Sequence, residues 1–174
     1  AIGAQQIPPN MAIYGLAIIL SIYIMAPVGY EISAILEEHT LSFDNDQSFK
    51  EIVDKGGEPY RQFLKKHTSS REVEFFLKNA SSLWPEKYVR DLDKDSFMIL
   101  IPAFTVSELT SAFEIGFLLY LPFIVIDLVI SNILLALGMM MVSPMTISLP
   151  FKLLLFVLLD GWSRLIHGLV LTYV

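Results

Sequence analysis

Cysteine is absent from the 174 residues, which excludes disulfides, thiolate nucleophiles, iron–sulfur clusters and cysteine-based zinc sites. Histidine is nearly as scarce, and His39, His67 and His167 are too scattered to suggest a metal site. Basic charge is short too: 12 Lys and Arg stand against 18 Asp and Glu, for a net charge of -6. Phosphate neutralisation needs a basic face, so nucleic acid is set aside as a partner. Only 17% of the residues are charged, against roughly a quarter in ordinary soluble domains. What fills the chain is apolar, at 54% hydrophobic residues and a mean hydropathy of +0.58. That is the composition of a membrane protein.

The charge is confined. Between Glu31 and Phe97 lie 14 of the acids and 10 of the bases, which leaves four acids and two bases for the rest of the chain. Three segments follow: 1–30, an uncharged N-terminal hydrophobic helix; 31–97, a small polar helical domain; and 98–174, a C-terminal hydrophobic helical hairpin. Met11 to Val28 is long enough as a helix to span ~27 Å, close to a bilayer core. Pro8 and Pro9 precede it, Asn10 is placed to cap it, and Pro27 predicts a kink or its exit. In the polar segment, Ser48 with Glu51 and Ser69 with Glu72 form capping boxes that predict two helix starts, and Gly56-Gly57 predicts the end of the first. With few large apolar side chains, this segment must lean on the hydrophobic helices or on neighbouring subunits. In the hairpin, the break is expected between Ser143-Pro144 and Pro150.

Four acids, Glu108, Glu114, Asp127 and Asp160, sit in the C-terminal hydrophobic region, where an ionisable group is costly unless paired, hydrated or facing protein. They fit either a proton or ion pathway or polar contacts between helices or subunits. Asp160, Arg164 and His167 share one helical face at the spacing of an intrahelical salt bridge. Ser163 and His167 lack any elbow or oxyanion motif that would make them a nucleophile, and no enzymatic site or cofactor is expected. Lys152 stands alone near a helix start, where its stem can snorkel to a polar boundary. Met139, Met140 and Met141 follow one another beside the expected break. Consecutive helical residues point about 100° apart and form no single packed face. Such a run reads most simply as apolar filler for irregular gaps; at a helix end beside a proline break, three flexible thioethers can instead line a constriction that excludes water yet yields to a passing object.

The stretches Pro102-Ala103-Phe104-Thr105-Val106-Ser107-Glu108-Leu109 and Ala112-Phe113-Glu114-Ile115-Gly116-Phe117 resemble the signature of the FliP/SctR family of type III secretion export-apparatus proteins. Pro122 to Val129, Ala136 to Met141, Leu149-Pro150-Phe151-Lys152 and Leu159-Asp160-Gly161-Trp162 resemble its C-terminal half in order and spacing. Gln5-Gln6-Ile7-Pro8-Pro9-Asn10 resembles its N-terminal turn. The polar middle carries no matching residues.

This resemblance implies an all-α, multi-pass protein of the bacterial inner membrane that forms the entry pore for unfolded secreted proteins. It implies a homo-oligomeric ring of about five copies, joined by SctS, SctT and SctU type subunits. It further implies that Met139, Met140 and Met141 form the gasket of the closed pore, and that Glu108, Glu114, Asp127, Lys152, Asp160 and Arg164 are buried polar or subunit contacts. Many of the apolar helices would then be lifted out of the bilayer into a compact pseudo-helical complex partly at periplasmic level, where buried acids find protein partners. The hydrophobic segment that precedes the Gln-Gln-x-Pro turn in the family is expected to be missing from this chain. Ser143-Pro144, in place of a Pro-Pro pair, leans toward the virulence-associated injectisome over the flagellar system. The competing reading from the residues alone is a small ion- or proton-coupled transporter with Asp127 and Glu114 as carriers; the methionine run discriminates the two.

Overall fold

The computed structural model describes residues 2–3, 8–38 and 46–174, and every regular element among them is a helix. In chain order these are α1 (Asn10–Glu38), α2 (Asp46–His67), α3 (Ser70–Leu83), α4 (Glu86–Val89), α5 (Phe97–Ala136), α6 (Pro144–Leu158) and α7 (Gly161–Leu171). His39 and the Gln5-Gln6-Ile7 part of the N-terminal turn lie outside the described residues, as do the side chains of Ser48 and Glu51. Helices α1 and α5 are long and apolar enough to cross a membrane, and α6 with α7, bent by 58° at their junction, form a third candidate as a broken span. Two compact units are present, one of residues 1–21 with 113–174 and one of residues 22–112.

Helix α1 contains the predicted hydrophobic helix and continues ten residues beyond Val28, running through Pro27 instead of ending there. Asn10 is its first helical residue, and the Pro9 carbonyl accepts from the Ala12 amide at 2.9 Å. Apolar residues lie on all sides of α1 and α5, the pattern of helices meant to be surrounded by lipid or by other helices.

In the unit of residues 22–112, the polar segment does lean on a hydrophobic helix. Leu64 of α2, Ala80 of α3 and Ile99, Leu100 and Ala103 of α5 are among its buried apolar side chains. Tyr60 stacks on Phe97 at 6.0 Å between centroids, Phe63 tilts against Phe104 at 5.9 Å, and the Arg61 guanidinium sits 4.8 Å over the Phe97 ring. The predicted stop at Gly56-Gly57 is overturned: α2 continues through both glycines and Pro59 to His67. A Cβ on Gly57 would come within 3.3 Å of the Phe97 ring, so this glycine serves close packing inside a helix. Helix α3 starts where the second capping box predicts, yet without a side-chain cap. Glu72 pairs with Arg71 at 3.0 Å, and the Ser69 amide that Glu72 would have satisfied donates instead to Ser107 Oγ of α5 at 3.0 Å. A tertiary contact has replaced a local one.

The return arm of the hairpin also differs from expectation. The break falls at residues 137–143; Pro144 opens α6 in its first turn, and Pro150 is carried inside that helix. A second break stands at Asp160, whose φ of 50° ends α6 and turns the chain into α7. This turn also dissolves the predicted Asp160–Arg164 side-chain pair, because Asp160 leaves the helical register and its backbone carbonyl accepts from the Arg164 amide at 3.1 Å.

Desolvation holds the His67 pKa below its usual 6.5, with Lys66 adding to the depression and Glu108 opposing it. The unfolded chain therefore takes up this proton before the folded one does, and the stability of this unit falls as pH drops through 6.5 toward the folded value. Asp93, held below 3.8 chiefly by its hydrogen bond from Ser96, loses its contribution only in far more acidic solution. Thermal unfolding followed between about pH 7.5 and 5.5 is expected to show an acid-side loss that His67→Gln removes.

Candidate functional site

The unit of residues 1–21 and 113–174 holds both groups of interest. The first is a buried polar cluster between α5 and α6. Ser148 and Lys152, one helical turn apart on α6, present their polar tips to a single carboxylate on α5. Lys152 Nζ lies 2.5 Å from Asp127 Oδ2, and Ser148 Oγ donates to Asp127 Oδ1 at 2.6 Å while lying 3.2 Å from the Met145 carbonyl. Lys152 and Ser148 are buried, at 2% and 0% exposure, whereas the Asp127 side chain keeps 31%. Lys152 is therefore neither alone nor snorkelling, as the sequence suggests; it sits mid-helix with its charge answered inside the chain. Ser148 was not anticipated, although its position four residues before Lys152 was the signal.

A charged ammonium removed from water costs several kcal/mol, recovered only where the counter-charge is close and its remaining lone pairs are occupied. Both conditions are met here, since each Asp127 oxygen accepts a hydrogen bond, one of them charge-assisted. The pair also fixes how α5 and α6 meet. Their flanking contacts are apolar and would tolerate sliding, whereas an ion pair does not.

The second group is the turn that follows. After Ala136 the chain leaves α5 with Gly138 at φ +71° and runs through the three methionines to Ser143 before α6 begins. Met139, Met140 and Met141 are 45%, 81% and 100% exposed. An apolar side chain wholly in solvent gains nothing from its own chain, so the turn presents these thioethers outward.

The remaining candidate residues are dispersed. Glu108 is half-buried one residue beyond Ser107 and acts electrostatically on His67, which places it with the polar segment. Glu114 is exposed on α5, and Asp160 is exposed at the α6–α7 bend. Arg164 is one of the residues lining an apolar cleft of about 510 Å³, with Leu119, Pro122 and Phe123 of α5 and Leu155, Phe156 and Leu165 of the return arm. Phe156 meets Trp162 edge-on at 5.5 Å beside it.

A sequence model of the FliP family matches residues 1–169. The chain is similar to Yop proteins translocation protein R of Yersinia pestis, at 66% identity over 173 residues, covering 99% of this chain and 80% of that protein. Hypersensitivity response secretion protein HrcR of Ralstonia nicotianae is 52% identical over 175 residues, with 99% and 81% covered. Virulence protein YscR of Salmonella typhimurium is 51% identical over 175 residues, with 99% and 80% covered.

The buried pair sets a test. Asp127→Asn strands an ammonium at 2% exposure, and the expected cost is about 3–5 kcal/mol. Lys152→Met, which leaves a partly hydrated carboxylate, is expected to cost less. The double variant should recover a large part of the single losses, giving a coupling energy of about 1–3 kcal/mol in a denaturation cycle in detergent. Additive losses would show that the two charges do not support each other.

Proposed function

The chain belongs to the FliP family, membrane export-apparatus proteins of type III secretion, and from that premise we propose that it is one wall element of a protein-conducting pore whose closed state is sealed by Met139, Met140 and Met141. The observation that carries this reading is the methionine turn. Its thioethers stand out from the fold at up to full exposure, and the helices on either side of it are tied by the Asp127–Lys152 pair. A rigid root with a soft tip is what a deformable seal requires: apolar enough to exclude water, flexible enough to let a chain pass, and indifferent to the sequence of that chain.

On this reading several copies, about five, surround the pore. SctS, SctT and SctU type subunits complete the assembly, and unfolded secreted proteins pass through it from the bacterial inner membrane, partly at periplasmic level. The exposed apolar surface of α1 and α5 supports multiple neighbours: Ile18, Ile19, Ile22, Phe113, Phe117 and Leu118 are all more than half exposed in a single chain. The relatives' names speak of translocation and secretion of proteins, which also supports a conduit. The transporter alternative draws no support from Asp127, since the carboxylate it would use as a carrier is held by Lys152 and Ser148.

Replacing Met139, Met140 and Met141 together with Ala is expected to preserve the assembled complex and to make resting membranes conduct ions. Conductance across planar bilayers holding the purified complex reads this directly. An intact complex that remains as tight as the parent would remove the seal from these residues.

A further inference from the structure

Three charges in the unit of residues 1–21 and 113–174 have no hydrogen bond or ion pair from their side chains among the described residues: Glu114, Asp160 and Arg164. Glu114 precedes Leu119, a residue of the apolar cleft, by five positions on α5 and does not itself line it. The other two belong to its edge. Among the described residues Arg164 is the one charged residue that lines the cleft; the other walls are apolar or aromatic side chains and glycine, with Phe123, Phe156 and Trp162 as the aromatic surfaces. Asp160 stands between two lining residues, Leu159 and Gly161, and one turn from Arg164, whose amide donates to its carbonyl at 3.1 Å. The wall at this bend is closely fitted: a Cβ on Gly161 would collide with the Phe156 ring, so glycine is what lets that ring lie against the turn. Trp162, edge-on to the same ring, is still 46% exposed.

We propose that this cleft holds one phospholipid with an ammonium headgroup, its acyl chain along the apolar walls, its phosphate on Arg164 and its ammonium at Asp160. The volume of about 510 Å³ is that of a small-molecule site, and a helix about 10 Å across would seat in it only in part. The lining asks for an occupant that is apolar along most of its length and carries an anionic group at one end, which a guanidinium binds as a planar fork. A phosphoethanolamine head adds a cation two carbons beyond that phosphate, and Asp160, one turn from Arg164, supplies the matching carboxylate. One molecule then answers both charges, which in the chain do not answer each other. A lipid that is only anionic satisfies Arg164 and is repelled by Asp160. Helix α7 suits such a neighbour: it turns 58° away from α6 and, unlike α1 and α5, separates a polar from an apolar face, as helices at the headgroup boundary do. The indole of Trp162 favours the same depth. Nothing in this requires a second copy or a pore; it needs only a chain that lies in a phospholipid membrane.

The chain holds two tryptophans, so Trp84→Phe leaves Trp162 as the sole reporter on the cleft. The full chain in maltoside micelles is titrated with phosphatidylethanolamine or phosphatidylglycerol brominated along the acyl chain, and quenching of Trp162 fluorescence is read. Phosphatidylethanolamine is expected to half-saturate the quenching at a mole fraction about threefold lower than phosphatidylglycerol. Arg164→Gln is expected to weaken both lipids about tenfold. Asp160→Asn, which keeps a residue tolerant of the left-handed backbone, is expected to abolish the preference and to leave phosphatidylglycerol no weaker. Quenching that Arg164→Gln leaves unchanged is the ordinary contact of a membrane helix with any acyl chain and overturns the site. Equal binding of the two lipids by the parent, or a preference that survives Asp160→Asn, overturns the selection of the ammonium headgroup. A Trp162 that neither lipid reaches, in a parent protein that native mass spectrometry finds multimeric, assigns the cleft to a neighbouring chain and overturns the lipid site as well.

Discussion

The ion pair between Asp127 and Lys152 is the constraint on which the C-terminal half depends. Helices α5 and α6 are apolar on nearly every side, and such helices pack well in many registers and rotations. Van der Waals contact among leucines does not distinguish one turn from the next. A 2.5 Å contact between a buried ammonium and a carboxylate, with Ser148 on the second oxygen, does, because any slip of one turn leaves a charge stranded in a medium that cannot solvate it. The methionine turn hangs from the two helices so fixed, and its position follows from theirs. A structural charge nine residues before the end of α5 thereby governs where the methionine side chains stand.

Much of this was legible in the sequence, and what was not has identifiable causes. Uncharged runs give the long helices because apolar length and charge exclusion act locally and need no knowledge of the rest of the fold. The methionine run was conspicuous for the same reason. Gly56-Gly57 misled because a helix stop is a statistical signal, and the Phe97 ring packed against Gly57 outweighs a propensity of about 1 kcal/mol per glycine. Pro150 misled in the same sense: a proline inside a helix removes one amide, and in an apolar helix its neighbours tolerate the freed carbonyl better than the chain tolerates an unpaired loop. Ser69 is the most instructive case. Its helix starts on schedule, but Ser107, 38 residues away, makes the bond assigned to Glu72, and no local rule contains that information. The candidate polar residues were legible as a set and their pairing was not, since the sequence presents Asp127 and Lys152 25 residues apart with no sign that they meet.

The polar segment illustrates a different economy. Its own apolar content is too small for a self-sufficient core, and the structure remedies this by lending it the first turns of α5. Phe97, Ile99, Leu100, Ala103 and Phe104 belong by composition to the hydrophobic helix, yet they are the floor on which α2 and α3 rest. The composition boundary near residue 97 is thus not a structural one. Lys65 reaching Asp95 at 2.8 Å and Ser69 reaching Ser107 place polar contacts on both sides of it.

Hydropathy alone cannot decide whether the outer faces of α1 and α5 meet lipid or protein, because a leucine is equally content with either. Polar groups break that tie. A carboxylate facing hydrocarbon at the centre of a helix costs about 2.5–3.5 kcal/mol even on lenient scales, and the same group facing a guanidinium in a protein wall is stabilised. Glu114 lies 17 residues into a 40-residue apolar helix with no counter-charge in its own chain among the described residues. A protein partner at that face of α5 would stabilise it, where hydrocarbon would not. The few charges scattered through these helices bear on what surrounds them: where a charge is answered inside the chain, as at Asp127, the contact is internal, and where it is not, water or a neighbouring group has to stabilise it.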